Sequence, residues 1–130
     1  MEQPTIQSEQ QTPTILVVED ESAGRNLLAA ALKRFGMGSI LCADGQEAVD
    51  CFREQQAAIS LVLMDLNMPR MGGSEAFEQM VAMDPDVRVI IMTGFREADE
   101  IQGLLQCGVQ SILYKPFHLN ELKTTLQKHL

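Results

Sequence analysis

Five short, mainly apolar runs rich in Val, Ile and Leu punctuate the chain, at residues 15–18, 39–42, 61–64, 87–92 and 109–114. Runs without polar alternation suit strands covered on both faces, as in a parallel sheet. Between them the apolar positions recur at helical spacing. Leu27, Leu28, Ala31, Leu32 and Phe35 share one face, and Gly36 supplies a stop. Ala48, Val49 and Phe52 form a second stripe. Ala76, Phe77, Met80 and Val81 form a third, ended by Asp84-Pro85. Ile101, Leu104 and Leu105 form a fourth, and Leu119, Leu122 and Leu126 a fifth. Five strand-then-helix units in series predict an α/β fold, a doubly wound sandwich with right-handed crossovers. Residues 1–13, rich in Gln, Pro and Thr, read as a disordered tail or linker, and 14–130 as one domain.

Composition narrows the class. With 130 residues, 45% of them apolar and 22% charged, the chain is long enough to bury a real core and has the balance of a soluble globular protein. No apolar stretch reaches the roughly 20 residues of a membrane span, and no signal-peptide segment opens the chain, which points to the cytoplasm. A net charge of −8 argues against direct nucleic-acid binding, which needs an excess of Lys and Arg. Cys42, Cys51 and Cys107 are odd in number and lack metal-site spacing, so they read as small apolar fillers in a reducing compartment.

In a doubly wound sheet all strand C-termini face one edge, and ligands bind in the crevice outside it. The residues just after each run therefore matter most. The first run is followed by Glu19 and Asp20, the third by Asp65, the fourth by Thr93-Gly94, and the fifth by Lys115-Pro116. The second ends without an equivalent group, in Cys42-Ala43-Asp44-Gly45. Singly, each is an ordinary cap or turn residue. Jointly they place three carboxylates, one hydroxyl and one ammonium at one edge. Crowded carboxylates repel one another, and a hard divalent cation relieves the repulsion. Oxygen-only ligands favour Mg²⁺, Mn²⁺ or Ca²⁺ over zinc. A cation and a lysine around one carboxylate are what phosphoryl transfer onto that carboxylate requires.

The acidic pair in VVED, the segment DLNMPRMGG, the Thr-Gly of IMTGF and the Lys-Pro-Phe of YKPF resemble, in order and spacing, the motifs of two-component receiver domains of the chemotaxis-regulator kind. The likeness runs over about residues 14 to 130. It implies a five-stranded flavodoxin-like sheet in the order 2-1-3-4-5 and a phosphoacceptor role for Asp65. It further implies that Asp20 binds Mg²⁺ directly, Glu19 through water, and Asn67 through its backbone carbonyl, Mn²⁺ being an alternative ion. Lys115 would pair with Asp65 and then with the phosphoryl group, Thr93 would move to bind that group, and Lys115-Pro116 would be cis. The donor would be a phosphohistidine on a sensor histidine kinase or histidine phosphotransfer domain. Such a domain is not a conventional enzyme but catalyses its own phosphorylation and autodephosphorylation. Phosphorylation can drive homodimerisation through the last two helices and strand.

This chain departs from that pattern at three places. Glu19 stands where Asp is common. Ile112 occupies the position of an aromatic switch residue, three residues before Lys115, and Tyr114 lies two residues on, on the same strand face. Tyr114 is a candidate substitute for that switch. His118 stands where the last helix expects an N-cap. Two other classes fit less well. A phosphatase with a nucleophilic Asp needs a general acid two residues later, where this chain has Asn67. A flavin protein needs a Ser/Thr/Gly-rich loop after the first strand, where this chain has Glu-Asp-Glu-Ser.

Overall fold

The computed structural model describes residues 12–94 and 98–130; residues 1–11 of the expected tail, and Phe95 of the Thr-Gly-Phe segment, lie outside them. Strands β1 (Thr14–Val18), β2 (Gly38–Cys42), β3 (Leu61–Asp65), β4 (Val89–Thr93) and β5 (Ser111–Tyr114) alternate with helices α1 (Ser22–Arg34), α2 (Gly45–Gln55), α3 (Gly73–Met83), α4 (Ala98–Gln106) and α5 (Leu119–His129). All strand pairs are parallel and the order is β2-β1-β3-β4-β5, as expected. Every residue of β3 and β4 is buried, which explains the apolar runs that lead up to their last residues, Asp65 and Thr93.

Strand alternation divides the core into two layers. Ile15, Val17, Leu61, Leu63, Ile90, Met92 and Leu113 face α1 and α5, meeting Leu28, Leu32, Leu122 and Leu126. Leu16, Val18, Val62, Met64, Val89 and Ile91 face the other side, against Val49 and Phe52 of α2, Phe77 and Met80 of α3, and Ile101 and Leu104 of α4. The parity fixes direction at the strand ends, since a residue's side follows from its place along the strand.

Periodicity over-assigned a few positions to the core. Leu27 is 64% exposed, and Leu105 and Leu119 also reach the surface. Each extends an apolar stripe past the arc of the helix that meets the sheet. The cysteines divide as well. Cys42 is a buried filler whose thiol is pushed up to about 12 by burial and by neighbouring Cys51. Cys51 is half-buried, and Cys107 is exposed and fills nothing. The helix ends follow local rules. Gly36 adopts φ 80, as the stop after α1 requires. His118 makes no side-chain cap for α5. The Lys115–Pro116 peptide is cis.

Candidate functional site

The backbone brings the sequence-derived residues together at the C-terminal edge of the sheet. β1 and β3 are adjacent, with Val18 opposite Met64, so Glu19 and Asp20 just after β1 and Asp65 at the end of β3 enter the same crevice. Carboxylate oxygens of Glu19, Asp20 and Asp65 lie within 4.8 Å of one another. Glu19 and Asp65 are buried and Asp20 is exposed. Unit charges about 4 Å apart repel by about 4 kcal/mol at an effective dielectric of about 20, so the cluster demands counter-charge.

Lys115 supplies part of it. Its Nζ donates to Glu19 Oε1 at 2.8 Å and to Asp65 Oδ2 at 2.9 Å. The strand pairing that aims it is visible: Lys115 N–H donates to the Thr93 carbonyl at 2.8 Å, continuing the β4–β5 ladder beyond Tyr114. Burial pulls the Lys115 ammonium towards neutrality, but its bonds to Glu19 and Asp65 prevail and hold its pKa above the ordinary lysine value. One ammonium against three carboxylates leaves two negative charges, the deficit that one divalent cation neutralises. The donor set is all oxygen, which fits a hard cation of the Mg²⁺ or Mn²⁺ type.

The remaining polar bonds position rather than charge the site. Asp65 Oδ1 accepts the backbone N–H of Asn67 at 3.2 Å, which orients the carboxylate and turns the loop after β3. Arg25 binds the carbonyl oxygens of Glu19 and Asp20 at 2.8 and 3.1 Å and so clamps the backbone of the acidic pair. Thr93 is fully buried at the end of β4, one residue beyond Met92, the register partner of Asp65, and its own partner on β5 is Tyr114. Ile112 packs into the core layer beneath α4.

A buried acid beside this site went unassigned from sequence. Asp44, after β2, caps α2 by accepting Glu47 N–H at 2.9 Å and pairs with the Arg70 guanidinium. Glu47 reaches back to Ala43 N–H at 2.8 Å. The Asp-x-x-Glu spacing at residues 44–47 was the available signal, a near capping box. Arg70 lies in the left-handed region at φ 65, a conformation that costs an L-residue about 1–2 kcal/mol. Its bond to Asp44 ties the β3–α3 loop to the β2–α2 loop. The Glu47 N–H bond foremost, and Arg70 next, hold the Asp44 carboxyl below its ordinary value of 3.8. This stabilisation is therefore present above pH 3.8 and lost as pH falls through the lower folded value. In urea denaturation Asp44→Ala is expected to cost about 1–2 kcal/mol, the loss of a cap. Asp44→Asn keeps a capping oxygen and loses only a pairing with an exposed arginine, so it should cost less than about 1 kcal/mol. Equal losses in the two variants would show that the ion pair, not the cap, carries the stability.

The profile of the response regulator receiver domain matches residues 15–127. Sporulation initiation phosphotransferase F of Bacillus subtilis is 34% identical over 116 residues, 89% of this chain and 92% of that protein. The autoinducer 1 sensor kinase/phosphatase LuxN of Vibrio campbellii is 32% identical over 126 residues, 95% of this chain but 14% of that much longer relative. Among solved structures, the receiver domain of a Pseudomonas aeruginosa sensor histidine kinase, with a magnesium ion coordinated in its active site cleft, superposes with TM-score 0.82 at 30% identity, covering 91% of this chain and 97% of that one. A response regulator receiver domain protein from Clostridium thermocellum gives TM-score 0.86 at 25% identity, covering 90% and 93%. With its doubly wound sheet and its acid-and-lysine crevice, this chain belongs to the response regulator receiver domain family, the phosphoacceptor modules of two-component signalling. Among the described residues no helix is long and apolar enough to cross a membrane.

Proposed function

We propose that Asp65 is the phosphoacceptor and that the transfer depends on Mg²⁺. The observation that carries this reading is the double anchoring of the Asp65 carboxylate, Oδ1 by Asn67 N–H and Oδ2 by Lys115, inside the three-carboxylate cluster. An Asp65 oxygen forms a bond to phosphorus as the N–P bond of a donor phosphohistidine breaks, and the donor imidazole takes up a proton. Asp20, Asp65, the Asn67 carbonyl and, through water, Glu19 would hold the ion. Once bound, the ion would offset charge on the transferring oxygens. Lys115 balances charge on the same oxygens and Thr93 donates a hydrogen bond to one of them. The chain thereby catalyses its own phosphorylation and autodephosphorylation without being a conventional enzyme.

The donor in this reading is a sensor histidine kinase or a histidine phosphotransfer domain, and the setting is cytoplasmic. Kinship with a sporulation phosphotransferase and with the receiver of a sensor kinase supports a relay partner of this kind. No direct nucleic-acid contact is proposed, and phosphorylation can favour a homodimer through α4, β5 and α5. Because Ile112 is aliphatic, the route from Thr93 to that face passes through its register neighbour Tyr114 or through movement of α4 alone.

The reading is tested with Mg²⁺ and a small acyl phosphate. Intact mass should show a single phosphoryl adduct on the wild type and none on Asp65→Asn. Millimolar Mg²⁺ should also raise the melting temperature, because the unfolded chain lacks the site. An undiminished adduct on Asp65→Asn would remove Asp65 from the role, and melting indifferent to Mg²⁺ would remove the ion.

A further inference from the structure

α1 carries a glycine where a helix has no use for one. Gly24 lies in its first turn, a position at which alanine gives better helix stability. The backbone there needs no left-handed conformation, since the positive-φ glycines are Gly36 and Gly108. What the missing side chain leaves room for is specific. A Cβ at position 24 would sit 3.2 Å from Cγ, 3.4 Å from Cδ and 3.6 Å from Oε1 of Glu19. All three nearest neighbours belong to that one residue. At Gly103, by contrast, a Cβ meets nothing within 4 Å.

Glu19 cannot easily yield to such a Cβ. It is 3% exposed, and both carboxylate oxygens are engaged: Oε1 takes Lys115 Nζ at 2.8 Å and Oε2 takes Glu21 N–H at 3.2 Å. Its backbone is held by Arg25, the residue after Gly24. We infer that Gly24 is a positioning residue for Glu19: its bare backbone provides the channel through which the longer acidic side chain runs to reach Lys115 and the metal crevice. Glutamate at position 19 and glycine at position 24 form one unit. Aspartate at position 19 would put its carboxyl carbon where the Glu19 Cγ now lies and its oxygens one bond short of the Glu19 oxygens that hold Lys115 and Glu21 N–H. Without those two anchors the shorter carboxylate can turn aside from a Cβ at position 24.

This inference rests on the reading of the acidic cluster as a Mg²⁺ site, and a double-mutant cycle separates the two. Wild type, Gly24→Ala, Glu19→Asp and the double variant are melted over a Mg²⁺ titration and again in chelator. Gly24→Ala is expected to weaken Mg²⁺ binding about tenfold beside Glu19 and less than about twofold in the Glu19→Asp background, in the range found for residues that orient metal ligands. In chelator, Gly24→Ala should raise the melting temperature in the Glu19→Asp background, where helix preference acts unopposed, and lower or leave it unchanged beside Glu19. Equal effects of Gly24→Ala in both backgrounds would overturn the inference. If none of the four proteins responds to Mg²⁺, the metal reading fails, and the chelator melts still decide whether Gly24 and Glu19 are coupled.

Discussion

Lys115→Ala is expected to slow phosphoryl uptake from a small acyl phosphate by about 10²–10³-fold at saturating Mg²⁺, the range seen when one preorganised electrostatic donor is removed. The size of the effect follows from geometry. Nζ lies 2.8 and 2.9 Å from two buried carboxylates, so the ammonium is already in place and little reorganisation is needed when charge moves onto the phosphoryl group. The same substitution removes the counter-charge of Glu19 and Asp65. Because Lys115 keeps 34% of its side-chain surface exposed, the stability cost without metal should be about 2 kcal/mol, below that of breaking a fully buried pair. Mg²⁺ should restore much of it and act more strongly on the variant than on the wild type. Alkaline titration gives an independent check. A raised lysine pKa contributes stability that is complete below the ordinary value of 10.5 and is lost as pH rises through the higher folded value. Wild-type and Lys115→Ala melting temperatures in chelator should therefore converge above that pH. Uptake at the wild-type rate in the variant would show that Lys115 is a structural counter-ion only.

The residues that sequence made legible share one property: each stands at the C-terminal end of a strand, either as its last residue (Asp65, Thr93) or just after it (Glu19, Lys115). Glu19, Asp65, Thr93 and Lys115 are far apart in the chain, yet topology alone predicts their meeting, because parallel strands end at a common edge. The sheet itself was equally legible, since β3 and β4 are buried at every position and their apolar runs have no other explanation. The resemblance to receiver domains added the strand order, which periodicity does not contain.

What stayed hidden are relations between loops and between a helix and the residues before it. Asp44 reads as a plain turn residue, and its pairing with Arg70, 26 residues away, depends on how two loops cross. Arg25 looks like a solvated helix cation, whereas its guanidinium binds backbone carbonyls. Leu27 was misplaced for the opposite reason. Helical period identifies a face but not the width of the arc that meets the sheet, so an apolar residue at its margin looks the same whether covered or bare.

Gly45 is the position where a single methyl group should do the most damage to stability. A Cβ there would lie 2.2 Å from the Met71 carbonyl oxygen and 2.9 Å from Met71 C and Cβ. The clash is with backbone, so no rotamer change relieves it, and Gly45 N–H itself donates to that oxygen at 3.1 Å. Either α2 or the β3–α3 loop must move, at a cost of about 3 kcal/mol, the upper end for overpacking. For a domain of this size that corresponds to a fall of about 10 °C in melting temperature. The disturbance should reach the site. The same loop is anchored to the end of β3 by Gly73 N–H on the Leu66 carbonyl at 2.8 Å, and a Cβ at Gly73 would stand 2.7 Å from the Asp65 carbonyl oxygen. Displacing Met71 thus pulls on the residues that set Asp65, and Mg²⁺ affinity should fall together with stability. Gly103→Ala is the matched control. Open space surrounds that position, so helix preference acts alone and alanine should stabilise by about 1 kcal/mol. Opposite signs for the two substitutions, read in one set of melts, would establish that close backbone approach and not glycine content governs these positions. A Gly45→Ala protein melting with the wild type would mean that the two loops separate without cost, and Asp44–Arg70 would then carry no structural weight.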